Sequence, residues 1–130
     1  MSPYSWMDHT GELELAVEAG SAEAVFAEAA AALGELFGRA EGEPATELVE
    51  LRDGDRSSLL VDFLQELVYL SETRGFVPEG ADVTLDESRL SATVRGHRGE
   101  TRPLVKAATY HGLSFTEEDG VWRARVVLDV

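Results

Sequence analysis

The chain contains no cysteine. That excludes disulfides, thiolate metal sites and cysteine nucleophiles, and it fits a reducing cytoplasm, the expected location. No apolar run approaches the roughly 20 residues that a membrane span needs, so no membrane association is expected. The start, Met1 to Trp6, has neither a basic segment nor a long apolar one, and no signal peptide is expected there. Bases are scarce: 11 Lys and Arg stand against 25 Asp and Glu, a net charge of −14. Such a surface repels phosphates, which argues against direct binding of DNA or bare RNA. It suits a basic protein partner, or simply solubility.

The imbalance is local. Residues 1–55 hold thirteen acids and two bases, whereas residues 56–130 hold twelve acids and nine bases. The one locally positive stretch runs from Arg89 to Lys106. At 130 residues and 44% hydrophobic content, one domain over 1–130 with a real core is expected.

Residues 12–18 alternate, with Leu13, Leu15 and Val17 on one side and Glu12, Glu14 and Glu18 on the other, which predicts a half-buried strand. Ser21 is placed to cap a helix over 22–37, whose apolar stripe includes Val25, Phe26, Ala29, Leu33 and Phe37. A loop over 39–45 and a strand over 46–51 follow. Ser57 is then expected to cap a strongly apolar helix over 58–73, with Asp62, Gln65, Glu66 and Tyr69 as its narrow polar stripe. Alternation over 81–85 and 90–94 predicts a hairpin. Residues 96–102 read as a loop, and Pro103 as the start of a short helix carrying Lys106. Two strands close the chain, one from Leu113 and one ending at Val130. The pattern predicts an α+β sandwich, helices on a largely antiparallel sheet, in the order βαβ-αββ-αββ.

Both ends place carboxylates at the rim of core strands. If the strand from Glu12 and the strand through Asp129 are neighbours, Glu12, Asp129 and the terminal carboxylate of Val130 can meet. Three converging anionic oxygens make either a hard-cation site or an electrostatic fault. Asp8-His9-Thr10 reads as catalytic chemistry or as a turn in which Asp8 and Thr10 bond local backbone. His9, His97 and His111 match no zinc spacing. Lys106 precedes Tyr110 and His111, and either supplies a cation beside developing negative charge or is an ordinary surface lysine.

Four segments together resemble the archease family. They are Asp8-His9-Thr10-Gly11-Glu12, the helix segment from Ser58 to Tyr69, the segment Lys106-Ala107-Ala108-Thr109-Tyr110-His111-Gly112-Leu113, and the close Val126-Val127-Leu128-Asp129-Val130. They occur in the family's order and span nearly the whole chain. The resemblance implies a non-enzymatic accessory protein of a GTP-dependent RNA ligase in tRNA splicing and RNA repair. Such a protein promotes guanylylation and repeated turnover of the ligase, which itself uses the GTP, and meets RNA ends only through it. The resemblance also implies a divalent metal, with calcium, magnesium or manganese favoured by oxygen donors, on Glu12, Asp129 and Val130. It adds Asp8, His9, Lys106, Tyr110 and His111 as candidate functional residues. Two departures stand out: Glu12 replaces the family's usual Asp, and Gly11 its usual Ala. Two other readings remain open, a stand-alone metal-dependent phosphoester hydrolase using Asp8, His9 and Asp129, and a generic acidic chaperone for RNA-binding proteins.

Overall fold

The computed structural model describes residues 3–9, 11–38, 41–102 and 104–130, with the backbone alone for Asp8 and His9. Its elements are β1 (Tyr4–His9), β2 (Glu12–Ala19), α1 (Ala22–Phe37), β3 (Pro44–Arg52), α2 (Arg56–Arg74), β4 (Phe76–Leu85), β5 (Arg89–Arg98), β6 (Ala107–Glu118) and β7 (Val121–Asp129). Two antiparallel sheets form, ordered β1-β2-β7-β6 and β3-β5-β4. Both helices pack against each other and against both sheets, so the α+β class holds.

One apolar cluster joins the layers, because each element turns a periodic face inward. Leu15 and Val17 of β2, Phe26 and Leu33 of α1, Phe63 and Leu67 of α2, Ala92 and Val94 of β5, and Val126 and Leu128 of β7 all belong to it. Phe26 sits at its centre, with ring centroids 5.8 Å from Phe63 and 5.7 Å from Phe115. Burying a side chain of that size contributes about 1.5–3 kcal/mol.

Ser21 caps α1 as its position implied, its hydroxyl accepting from the Ala24 N–H at 3.1 Å. Gly34 lets α1 lie almost on β4: a Cβ there would stand 1.9 Å from the Pro78 carbonyl oxygen. The cap of α2 is Asp55 rather than Ser57, since the Asp55 carboxylate accepts from the Ser58 N–H at 2.8 Å, starting the helix at Arg56.

The element order departs from βαβ-αββ-αββ at both ends. A first strand, β1, precedes the expected one and pairs with β2 from Tyr4↔Val17 to His9↔Glu12. Its inward positions are aromatic, and only the β2 partner reveals them as a strand. The described residues contain no third helix. Residues 104–106 form a turn and extended chain, and β6 starts at Ala107 instead of Leu113. Lys106 and Tyr110 are therefore not one helical turn apart. Pairing with β7, Ala107↔Asp129 to Thr109↔Val127, supplies hydrogen bonds that a short isolated helix after Pro103 would lack. The 96–102 loop is also shorter than expected, because β5 continues to Arg98 opposite β3 and β4.

Candidate functional site

β2 lies beside β7 in a register that sets Glu12 opposite Asp129. One row of backbone positions then crosses the four-stranded sheet: His9, Glu12, Asp129, Ala107. Directly opposed residues of an antiparallel pair project from the same face, with Cβ atoms about 4.5–5.5 Å apart. Two carboxylates are thus held side by side at the rim. Two backbone bonds fix what surrounds them. The Val130 N–H donates to the Gly11 carbonyl at 3.2 Å, and the Lys106 N–H to the Asp129 carbonyl at 2.7 Å.

Gly11 stands in a turn immediately before β2 at φ +71, where a residue with a Cβ would be strained. The departure from alanine at this position thus suits a tight turn, which places Glu12 at the very start of β2.

Like charges directly opposed in a sheet are destabilising. Further along the same face the acids are balanced: Arg123 bonds Glu18 at 3.2 Å and Arg125 lies 3.8 Å from Glu14. Among the described residues, neither the Glu12 nor the Asp129 carboxylate has a hydrogen-bond or ion-pair partner. The sheet compensates its interior acids, and no described side chain does the same for the rim pair.

Does this set fit a divalent ion? Among the described residues no group of three or more His, Cys, Asp and Glu side chains is arranged to hold a metal. The rim offers two side-chain carboxylates and, beside them, Val130. All the donors are anionic oxygens, which suits a hard cation and disfavours zinc. Their uncompensated charge points the same way. Glutamate in place of aspartate reaches one methylene further from the same backbone row.

The other candidates separate. The side chains of Asp8 and His9, and all of Thr10, lie outside the described residues. By register, His9 shares the row of Glu12 and Asp129, whereas Asp8 shares the next row with Leu13 and Leu128. The hydrolase trio of Asp8, His9 and Asp129 is thus split between rows. Lys106 is exposed, and among the described residues it has no ion-pair partner. Tyr110 and His111 lie further along β6, where the β7 register shifts between Thr109 and Ser114. The Tyr110 hydroxyl donates to Asp62 of α2 at 2.6 Å, and this bond, followed by burial, pushes the phenol up to about 12. Of the locally positive stretch, Arg95 is paired with Asp82 at 2.6 Å and Arg98 with Glu47 at 3.3 Å.

Sequence reasoning missed one link here. The Gln65 side-chain carbonyl accepts from the Ala108 N–H at 3.0 Å, so α2 closes part of the free edge of β6. A glutamine in the polar stripe of an otherwise apolar helix was its only signal.

The sequence profile of the archease protein family (MTH1598/TM1083) matches residues 4–130. The chain belongs to the archease family. Relatives within the family include the archease of Methanothermobacter thermautotrophicus, 32% identical with 100% of each chain covered. The archease of Methanosarcina barkeri is 31% identical, with 98% of this chain and 95% of that one covered. The solution structure of protein 1598 of Methanobacterium thermoautotrophicum superposes on the whole of both chains with a TM-score of 0.75 at 28% identity. The crystal structure of a Thermotoga maritima archease, described there as a possible chaperone, shares the fold with a TM-score of 0.68. It is 24% identical over 95% of this chain and 94% of that one.

Proposed function

We propose that this archease-family protein activates a GTP-dependent RNA ligase in tRNA splicing and RNA repair, acting in the cytoplasm. In this reading it promotes guanylylation and repeated turnover of the ligase and performs no turnover alone. Family membership supports an accessory role. The observation that carries the reading further is the carboxylate pair, Glu12 beside Asp129, at the rim of the sheet, with no partner among the described side chains.

Glu12, Asp129 and Val130 are the residues that would hold a divalent ion. Bound there, calcium, magnesium or manganese would neutralise phosphate charge. The chain's own part is positional. β2 and β7 fix the two carboxylates side by side, and the Asp129 carbonyl ties down Lys106, whose exposed ammonium is available to a phosphate or carboxylate of the partner. The charge of −14 disfavours RNA as a direct ligand and favours a partner whose RNA-handling surface is basic.

The test is RNA end-joining by the cognate ligase at limiting concentration, with and without this protein. More joined ends per ligase is the expected result. An unchanged yield overturns the proposal. GTP hydrolysis by this chain alone, abolished by Asp8→Asn, would support the hydrolase instead. Equal activation by parent and Glu12→Gln would support a generic chaperone.

A further inference from the structure

Five large hydrophobic side chains are well exposed among the described residues: Met7, Leu48, Tyr69, Leu104 and Tyr110. Three of them fall on one ridge. β6 runs along α2 in the reverse direction, as two bonds show: Tyr110 to Asp62, and Ala108 to Gln65. Continuing that run brings the chain before β6 alongside Tyr69 and Glu72. Asp62, Gln65, Tyr69 and Glu72 follow one another at helical spacing on the outward side of α2. Tyr69 is 55% exposed, Tyr110 56% and Leu104 45%.

Beside the Leu104 end of the ridge lies a hollow of about 230 Å³, with Phe37, Val68 and Val105 as its apolar lining and Ser71, Glu72, Thr101 and Arg102 as its polar one. Exposed tyrosines beside a hollow that can take an anchor side chain are features of protein–protein contact centres. The rim of the ridge is acidic, with Asp62, Glu66 and Glu72 on α2 against Lys106 and Arg102. Acids there repel phosphates and favour cationic side chains.

We infer that the α2–β6 ridge is where the partner ligase docks, through a protein surface that is basic at its edge and inserts an apolar side chain into the hollow. This rests on the proposed function. The placement gives the ridge its purpose. The Lys106 N–H bonds the Asp129 carbonyl at 2.7 Å and Ala107 pairs with Asp129, so the row of Glu12 and Asp129 meets the ridge between Leu104 and Tyr110. A partner seated on the ridge receives the carboxylate pair at a fixed position.

The experiment measures binding of the full-length protein to the purified ligase, together with melting temperature. Tyr69→Ser/Leu104→Ser removes two exposed contacts, and Glu72→Lys reverses the rim charge. Leu48→Ser, on the other sheet, is the control. Each ridge variant is expected to weaken binding by about tenfold or more, the loss typical of a central contact residue. The control should bind as the parent does, and none should change the melting temperature appreciably. Parent-like binding by both ridge variants overturns the inference and leaves the proposed function standing. No binding by the parent overturns the proposed function and the inference with it. Should the double variant lose its fold, Glu72→Lys against Leu48→Ser decides.

Discussion

Tyr110, in the irregular part of β6, donates its phenolic hydrogen to Asp62 of α2 at 2.6 Å. Asp62 in turn faces Asp53, and the two carboxyls shift in opposite directions. Burial, then the interaction with Asp53, raises the Asp62 carboxyl above its ordinary 3.8 against the opposing bond from Tyr110, while the interaction with Asp62 and the Gly54 N–H hold Asp53 below it. Ionised Asp62 therefore costs stability above its ordinary value, and that cost disappears as pH falls below it. Asp53 has the opposite sign: it stabilises above the ordinary value and ceases to as pH falls through its lowered one. Asp62→Asn keeps an acceptor for Tyr110 and a donor for Asp53 while removing the charge. It should melt higher than the parent at neutral pH, with the difference closing as pH falls past the ordinary 3.8. Melting curves across that range check it.

Glu47 is buried, and its carboxylate takes the Arg74 guanidinium at 2.8 Å and the Arg98 guanidinium at 3.3 Å. Bonds to charged groups are worth more than neutral ones, although both arginines are half exposed and the pairs are partly screened. Glu47→Ala should lose about 2 kcal/mol of stability in urea unfolding. Glu47→Gln, which keeps acceptor and volume, should lose less.

Gly34→Ala would normally favour a helix by about 1 kcal/mol. Here the added methyl meets the Pro78 carbonyl oxygen at 1.9 Å, and neither backbone can give way without separating α1 from β4. Overpacking should win, with a net loss of about 2 kcal/mol or more. The variant's denaturation midpoint, compared with that of Gly20→Ala, where a Cβ meets nothing, checks this.

Glu12→Gln should separate stability from binding. Removing one of two opposed carboxylates relieves repulsion and should raise metal-free stability by about 0.5 kcal/mol. Calcium or manganese affinity should fall at least tenfold, because anionic oxygens set the affinity of hard cations. Metal-free urea unfolding of parent and variant gives the first number, and calorimetric metal titration the second.

Lys106→Ala should leave stability within about 0.5 kcal/mol, as expected for an exposed side chain with no ion-pair partner among the described residues. Ligase activation should fall sharply. Melts and turnover assays run in parallel check the divergence.

Elements with clean periodicity were legible in the sequence. Leu13, Leu15 and Val17 define β2, and the stripe from Val25 to Phe37 defines α1, which spans Ala22–Phe37 as expected. What escaped depends on distant partners. β1 carries no pattern of its own and is a strand because β2 lies beside it. Residues 107–112 contain Tyr110, His111 and Gly112 in a break of register, so alternation fails where β6 still pairs with β7. Phe76, Val77 and Pro78 are all buried at the start of β4, where Gly34 lets α1 close over them, and a strand buried on both faces does not alternate. The Glu12–Asp129 adjacency was legible as a possibility from rim carboxylates alone; the register made it a fact. The ties from α2 to β6 through Asp62 and Gln65 had only the polar stripe of an otherwise apolar helix as a sign, and polar residues on a helix do not name their partners.

The seating of β7 between β2 and β6 bears on how the chain reaches its native state. The Glu18–Arg123 pair joins residues 105 positions apart, and every β2–β7 bond closes a loop of similar size. β2 leaves the ribosome early and must wait for its neighbour while the 3-stranded sheet and both helices are already complete. Closing such long loops late makes assembly of that sheet slow. During synthesis the inward face of β2, Leu15 and Val17, has only β1 and α1 for cover. The acids Glu12, Glu14 and Glu18 on its other face then serve as a charged guard against pairing with a neighbouring nascent chain.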